Sequence, residues 1–269
     1  MSTPYNPAPD GELLPPGPPP FEPPVPTTAE NPPWTFREII FLTLTAIFLV
    51  AFFQGIAIGI ARNRHPLAPF ADLARNARIV LPPQVLAYLT LLGGMIAMLR
   101  ARGLHFWRSI RWNWPSSRWL LFLLGGILMA FVIQATSALL PIPKQLPIEQ
   151  FFADTTSAYL LALFGVTLAP LMEELYFRGF LYPVLARRLG IPLSVFITSF
   201  LFAAIHASQL GQAWAPLLLL LFVGLALTIA RVRTGSVAIS FLLHVGYNLT
   251  LFTVMYFVTN HFRNMENMK

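Results

Sequence analysis

From about residue 38 the chain alternates long apolar runs with short polar joints. The runs lie at roughly 38–61, 80–99, 119–140, 159–187, 190–207, 214–230 and 236–259. Most have about the 17–25 residues that cross a ~30 Å hydrocarbon core; the fourth is longer and the fifth and sixth are short. In lipid every backbone polar group must find its partner within the protein, so such runs are predicted to be helices. No ten-residue segment with alternating polarity suggests a membrane barrel. The pattern predicts an all-α fold, a polytopic transmembrane helical bundle of about seven spans, with six to eight compatible with the run lengths.

Four regions follow. Residues 1–35 hold just over half of the chain's 25 prolines, four acidic residues and no Lys or Arg. Such a tail buries too little apolar surface to offset its ordering entropy, and is expected to be disordered with polyproline character. It has neither a basic start nor an apolar stretch, so the first membrane helix is expected to act as the targeting signal. Residues 36–154 form N-terminal membrane helices with basic loops, 155–260 a second membrane region, and 261–269 a C-terminal tail.

Composition narrows the class. Charged residues make up 11% of the 269, against about 25% in ordinary soluble domains. With 56% hydrophobic residues and a mean hydropathy of +0.63, a soluble fold would expose large apolar patches. The net charge of +7 sits in short Arg clusters between spans, a pattern of membrane topology that argues against a nucleic-acid partner. Placing the N-terminus inside puts Arg37, Arg100, Arg102, Arg108, Arg111, Arg118, Arg187, Arg188, Arg231 and Arg233 on the inner side, ten basic residues against seven outside. The expectation is an integral multi-pass protein of the cell membrane with a cytoplasmic N-terminus and membrane lipid as a partner. Nothing in the pattern sets an oligomeric state. Trp107, Trp112, Trp114 and Trp119 read as an interfacial belt, and Gly55 with Gly59 as a small-xxx-small packing face. The absence of cysteine removes disulfides, thiolate metal sites and cysteine nucleophiles.

An ionisable group inside a span costs about 2.5–3.5 kcal/mol even on the lenient insertion scale. The groups that violate this rule lie in the C-terminal half: Glu173, Glu174 and Arg178 in the fourth run, His206 in the fifth, and His244 with Asn248 in the seventh. Glu174 and Arg178 are i and i+4, acid first, the favourable order for a same-face pair. His244 and Asn248 share the same spacing and so can face one cavity. Pro170 cannot donate to the Val166 carbonyl, so the helix should loosen one turn before the glutamates. Two histidines and a glutamate suit a divalent metal such as zinc, with Glu173, His206 and His244 as ligands. Without metal, a buried carboxylate can act as general base while His and Asn donate to a developing oxyanion. Both routes lead to hydrolysis of an amide bond. Two other readings stand beside this one: a non-enzymatic membrane scaffold or bacteriocin-immunity-type factor that keeps the cluster for binding, and a proton-coupled transporter. The chain has no H-E-x-x-H or G-x-S-G, and its three Asp residues, Asp10, Asp72 and Asp154, lie outside the spans.

Three short motifs carry a family resemblance. Glu173-Glu174-Leu175-Tyr176-Phe177-Arg178 resembles the E-E-x-x-x-R motif of the CAAX prenyl protease and bacteriocin-processing (CPBP, or Abi) intramembrane proteases. Phe202-Ala203-Ala204-Ile205-His206 resembles that family's F-x-x-x-H, and His244-Val245-Gly246-Tyr247-Asn248 its H-x-x-x-N. The resemblance covers roughly residues 155–255. It implies a helical membrane endopeptidase acting on membrane-associated protein or peptide substrates. It further implies that Glu173 activates water with help from His206, that His244 and Asn248 bind metal or stabilise the oxyanion, and that Glu174 and Arg178 support the site.

Overall fold

The computed structural model describes residues 30–152 and 154–264, and among them it contains helices and no strand. In chain order the α-helices are α1 (Phe36–Arg64), α2 (Phe70–Arg75), α3 (Ala77–Arg100), α4 (Phe106–Ser109), α5 (Trp119–Ser137), α6 (Thr155–Val166), α7 (Leu168–Glu174), α8 (Tyr182–Leu189), α9 (Ile191–Ala204), α10 (Trp214–Thr234) and α11 (Val237–Val258). A π-helical segment, Leu175–Leu181, joins α7 to α8. Among the described residues, six helical stretches are long and apolar enough to cross a membrane: α1, α3, Ser116–Ser137, Thr155–Leu189, α10 and α11.

The fifth apolar run is the exception. It forms α9, whose 14 residues reach only about 21 Å. Gly190, at φ +75°, and Pro192 open this helix, and a series of turns replaces it after Ala204. His206 therefore lies just beyond a helix end rather than inside a span.

The bundle is built from pairs, α1 on α3, α9 on α10 and α5 on α11, with α10 and α11 the most deeply enclosed spans. The outer faces of α1 and α5 are apolar and exposed, through Phe41, Leu44, Phe48 and Phe52 on one and Leu121, Leu128 and Phe131 on the other. Such continuous apolar faces are suited to lipid and not to water. Close packing of α5 on α11 depends on two glycines. A Cβ on Gly126 would collide with the Leu243 carbonyl, and one on Gly246 with the Leu123 carbonyl. The small-residue reading of Gly55 and Gly59 is corrected here: both are exposed, with nothing within 4 Å of where a Cβ would stand. Trp107, Trp114 and Trp119 are exposed, as a belt requires, whereas Trp112 is partly buried against Phe241.

Asp154 caps α6 by accepting from the Thr156 and Ser157 amides, and its carboxylate pairs with Arg78 at 2.6 Å. The Ser157 hydroxyl, with Arg78 beside it, holds the Asp154 carboxyl down at about 2. The long helix that follows loosens where Pro170 requires it. α6 ends at Val166, Thr167 takes φ −115° and ψ −79°, and α7 begins at Leu168.

Most of the Pro-rich tail lies outside the described residues. Its last six residues do not fit the disorder expected for 1–35, because Glu30 and Trp34 are buried against the bundle. Arg102, Arg111, Arg187 and Arg231 all bond to residues 30–34. Three of the basic joints thus share one end of the bundle with the start of α1.

Candidate active site

The site takes shape on the segment that follows the Thr167 break. Glu173 and Glu174 end α7, and Arg178 lies inside the π-helical segment, where the Tyr182 amide donates to the Phe177 carbonyl five residues back. Such segments widen a helix locally and occur often at functional sites.

Glu174 and Arg178 form the frame. Both side chains are fully buried, and Arg178 Nη1 donates to Glu174 Oε1 at 2.9 Å. The remaining guanidinium donors are used on α10: Nε to the Thr228 hydroxyl at 3.1 Å and Nη2 to the Gly224 carbonyl at 3.0 Å. The Phe202 ring covers the cation at 4.6 Å. A buried charge is tolerated when it is paired and its donors are satisfied, and Arg178 meets both conditions. Ser199 adjoins the set, its hydroxyl oxygen 3.3 Å from that of Thr228. Sequence reading missed Thr228, Ser199 and the Gly224 carbonyl. Hydroxyls in an apolar helix can be satisfied by their own i−4 carbonyl, as both are here, so they give no sign of a distant partner.

The reactive-looking groups stand on this frame. His244 Nδ1 lies 2.9 Å from Glu174 Oε1, and His206 Nδ1 lies 2.9 Å from the Phe202 carbonyl. A carbonyl only accepts, and so does an ionised carboxylate, so each ring carries its proton on Nδ1 when neutral and turns a lone pair outward on Nε2. Both Nε2 atoms face Glu173, His206 at 4.0 Å from one carboxylate oxygen and His244 at 3.8 Å from the other. These gaps are too long for a direct hydrogen bond and short enough for one water to bridge. The Glu173 side chain keeps 14% of its surface open and that of His206 19%, against none for Glu174. Of the two neighbouring carboxylates, Glu173 is the one that a substrate or water can reach.

Five of the six residues read from the sequence therefore meet in one network: Glu173, Glu174, Arg178, His206 and His244. Asn248 is turned aside. Its amide donates to the Gly165 carbonyl at 2.7 Å, which ties α11 to the last turn of α6 just before the Thr167 break.

The fit to a metal can be judged from the donors. Two imidazole Nε2 atoms and a carboxylate match zinc in type, and Glu174 behind His244 resembles the outer carboxylate that orients a zinc-bound histidine. A tetrahedral zinc with bonds near 2.0–2.1 Å needs donor atoms about 3.3 Å apart. Both separations around Glu173 exceed that, and among the described residues no group of three or more His, Cys, Asp or Glu is placed to hold a metal ion. The donors suit zinc in type, but not in spacing.

Comparison with known proteins bears on the same region. Residues 155–250 match the family model described as type II CAAX prenyl endopeptidase Rce1-like. An uncharacterized 24.3 kDa protein of Escherichia coli is 33% identical over 128 residues, which cover 46% of this chain and 58% of that protein. The chain thus spans less than two thirds of the length of this relative. No solved structure matches. The matched segment contains the Glu173–Arg178, His206 and His244–Asn248 motifs, so the similarity of residues 155–250 to the Rce1-like type II CAAX prenyl endopeptidases takes in the whole candidate site.

Proposed function

We propose that the protein is an intramembrane endopeptidase that hydrolyses peptide bonds of membrane-associated proteins or peptides. The observation that supports this most directly is the open Glu173 carboxylate, flanked by two imidazole nitrogens at 3.8 and 4.0 Å near the middle of a 35-residue apolar helical stretch. In this reading Glu173 takes a proton from a water bridged to His206 Nε2, and the resulting hydroxide attacks the peptide carbonyl. The carbonyl oxygen gains negative charge. In its imidazolium form His244, held by Glu174, donates from Nε2 to that oxyanion, while Asn248, bonded to the Gly165 carbonyl, ties α11 to α6 beside it. Glu173 then passes its proton to the departing amine. Arg178 neutralises Glu174, so the frame keeps its shape while charge moves on the open side.

The protein is proposed to reside in the cell membrane with its N-terminus in the cytoplasm. Glu173→Gln and His244→Ala are expected to lower cleavage at least 100-fold in reconstituted vesicles while the protein still accumulates in the membrane. Removing a positioned base or one oxyanion donor typically costs about 10²–10⁴-fold. Retained cleavage by Glu173→Gln protein overturns the reading. Metal analysis of active protein, with chelator treatment, decides whether a divalent ion joins Glu173, His206 and His244.

A further inference from the structure

The residues just before α1 are held by polar contacts from four arginines. Glu30 Oε1 lies 3.0 Å from Arg231 Nη1 and 3.2 Å from Arg111 Nη1, and the Arg231 side chain is 1% exposed. Arg187 donates to the Pro32 carbonyl at 3.2 Å and the Trp34 carbonyl at 3.4 Å, and Arg102 to the Pro33 carbonyl at 2.6 Å. Trp34 is buried, with its ring stacked on Phe180 at 4.6 Å. Its indole N–H donates to the Phe180 carbonyl at 2.9 Å.

Phe180 sits in the π-helical segment two residues after Arg178. Pro183, just beyond, brings no N–H, so this junction is one main-chain donor short. The Trp34 indole brings an extra donor into that stretch. A second route runs through α10. Arg231, which holds Glu30, is three residues from Thr228, which holds Arg178, and residues at i and i+3 are neighbours on a helix. The segment 30–34 therefore contacts the two elements that hold the Glu174–Arg178 pair, the π-helical segment through Phe180 and α10 through Arg231.

We propose that Glu30–Trp34 is a clasp that fixes the register of the π-helical segment, and that Trp34 is a positioning residue for catalysis. It touches no reacting atom and acts through Phe180 and Arg178 on Glu174, and so on the orientation of His244. The proposal rests on the protease reading for its effect on rate and stands apart from it for its effect on structure.

The test uses the full chain in vesicles with a lipid-anchored quenched fluorescent peptide as probe. Trp34→Phe keeps a ring against Phe180 while removing the indole donor together with part of the bicycle. It should lower kcat about tenfold with KM within twofold, and raise amide hydrogen exchange over residues 175–189 about tenfold. Glu30→Arg should do the same, and adding Arg231→Glu should restore at least half of the lost rate. Unchanged exchange in Trp34→Phe, a change confined to KM, or no recovery in the charge swap each overturns the clasp. If the probe is not cleaved, or Glu173→Gln still cleaves it, the protease reading fails. The exchange measurement then still decides whether Trp34 holds the segment.

Discussion

At the scale of single residues, the two adjacent glutamates show how environment assigns roles. Glu174 is fully enclosed, and one of its oxygens accepts from both Arg178 and His244. Glu173 is one residue earlier, points another way and keeps an open edge. Removing one partner of a buried ion pair typically costs about 3–5 kcal/mol, because the other charge stays behind unpaired. Arg178→Met should therefore lower stability in detergent by about that much, read as the thermal unfolding midpoint. Glu173→Gln should unfold close to the unsubstituted chain, since Glu173 pairs with nothing at bonding distance. A similar drop for both would mean that Glu173 belongs to the frame. The sequence showed that these residues were costly in lipid, but not which carboxylate was framed and which was open. That choice depends on Thr228, Gly224 and Phe202, which lie on other helices.

At the scale of helices, the recurring theme is where regular geometry gives way. Pro170 loosens its helix at Thr167, as the missing N–H requires, and the π-helical segment follows the glutamates directly. The sequence pattern made the first of these legible and gave no hint of the second, since i→i+5 bonding leaves no compositional mark. Glycines show the same division. Gly55 with Gly59 and Gly126 with Gly246 look alike in sequence, yet only the latter two lie where helix backbones touch. Overpacking a tight contact costs about 1–3 kcal/mol, and more when the obstacle is backbone. Gly246→Val should separate α11 from α5, lower stability by at least that amount and displace His244, whereas Gly55→Val should be silent. Paired thermal unfolding and cleavage measurements check both; equal effects would contradict the observed crossing.

For the whole molecule, the arrangement of charge is the informative feature. Arg102 and Arg111 from one joint, Arg187 from a second and Arg231 from a third gather around residues 30–34, whereas the Arg78–Asp154 pair lies away from them, where α3 and α6 begin. A basic end of this kind is expected to face the cytoplasm. The chain lacks cysteine, so single introduced thiols report sidedness cleanly. A thiol at Gly103 should resist an impermeant maleimide added to intact cells, and one at His65 should react. The reverse pattern would invert the orientation.

The sequence by itself determined the solvent, the all-helical class and the residues whose presence in lipid needs a reason. Those properties follow from composition and from runs long enough to cross a bilayer, and each is local along the chain. Tertiary structure alone decided that the fifth run stops short, that Asn248 turns to Gly165, and that the end of the Pro-rich tail is docked. It also decided which of two neighbouring glutamates is open. The last three of these outcomes depend on a donor or acceptor contributed from far along the chain, and in a medium without water to stand in, that distant partner fixes where a polar group must point.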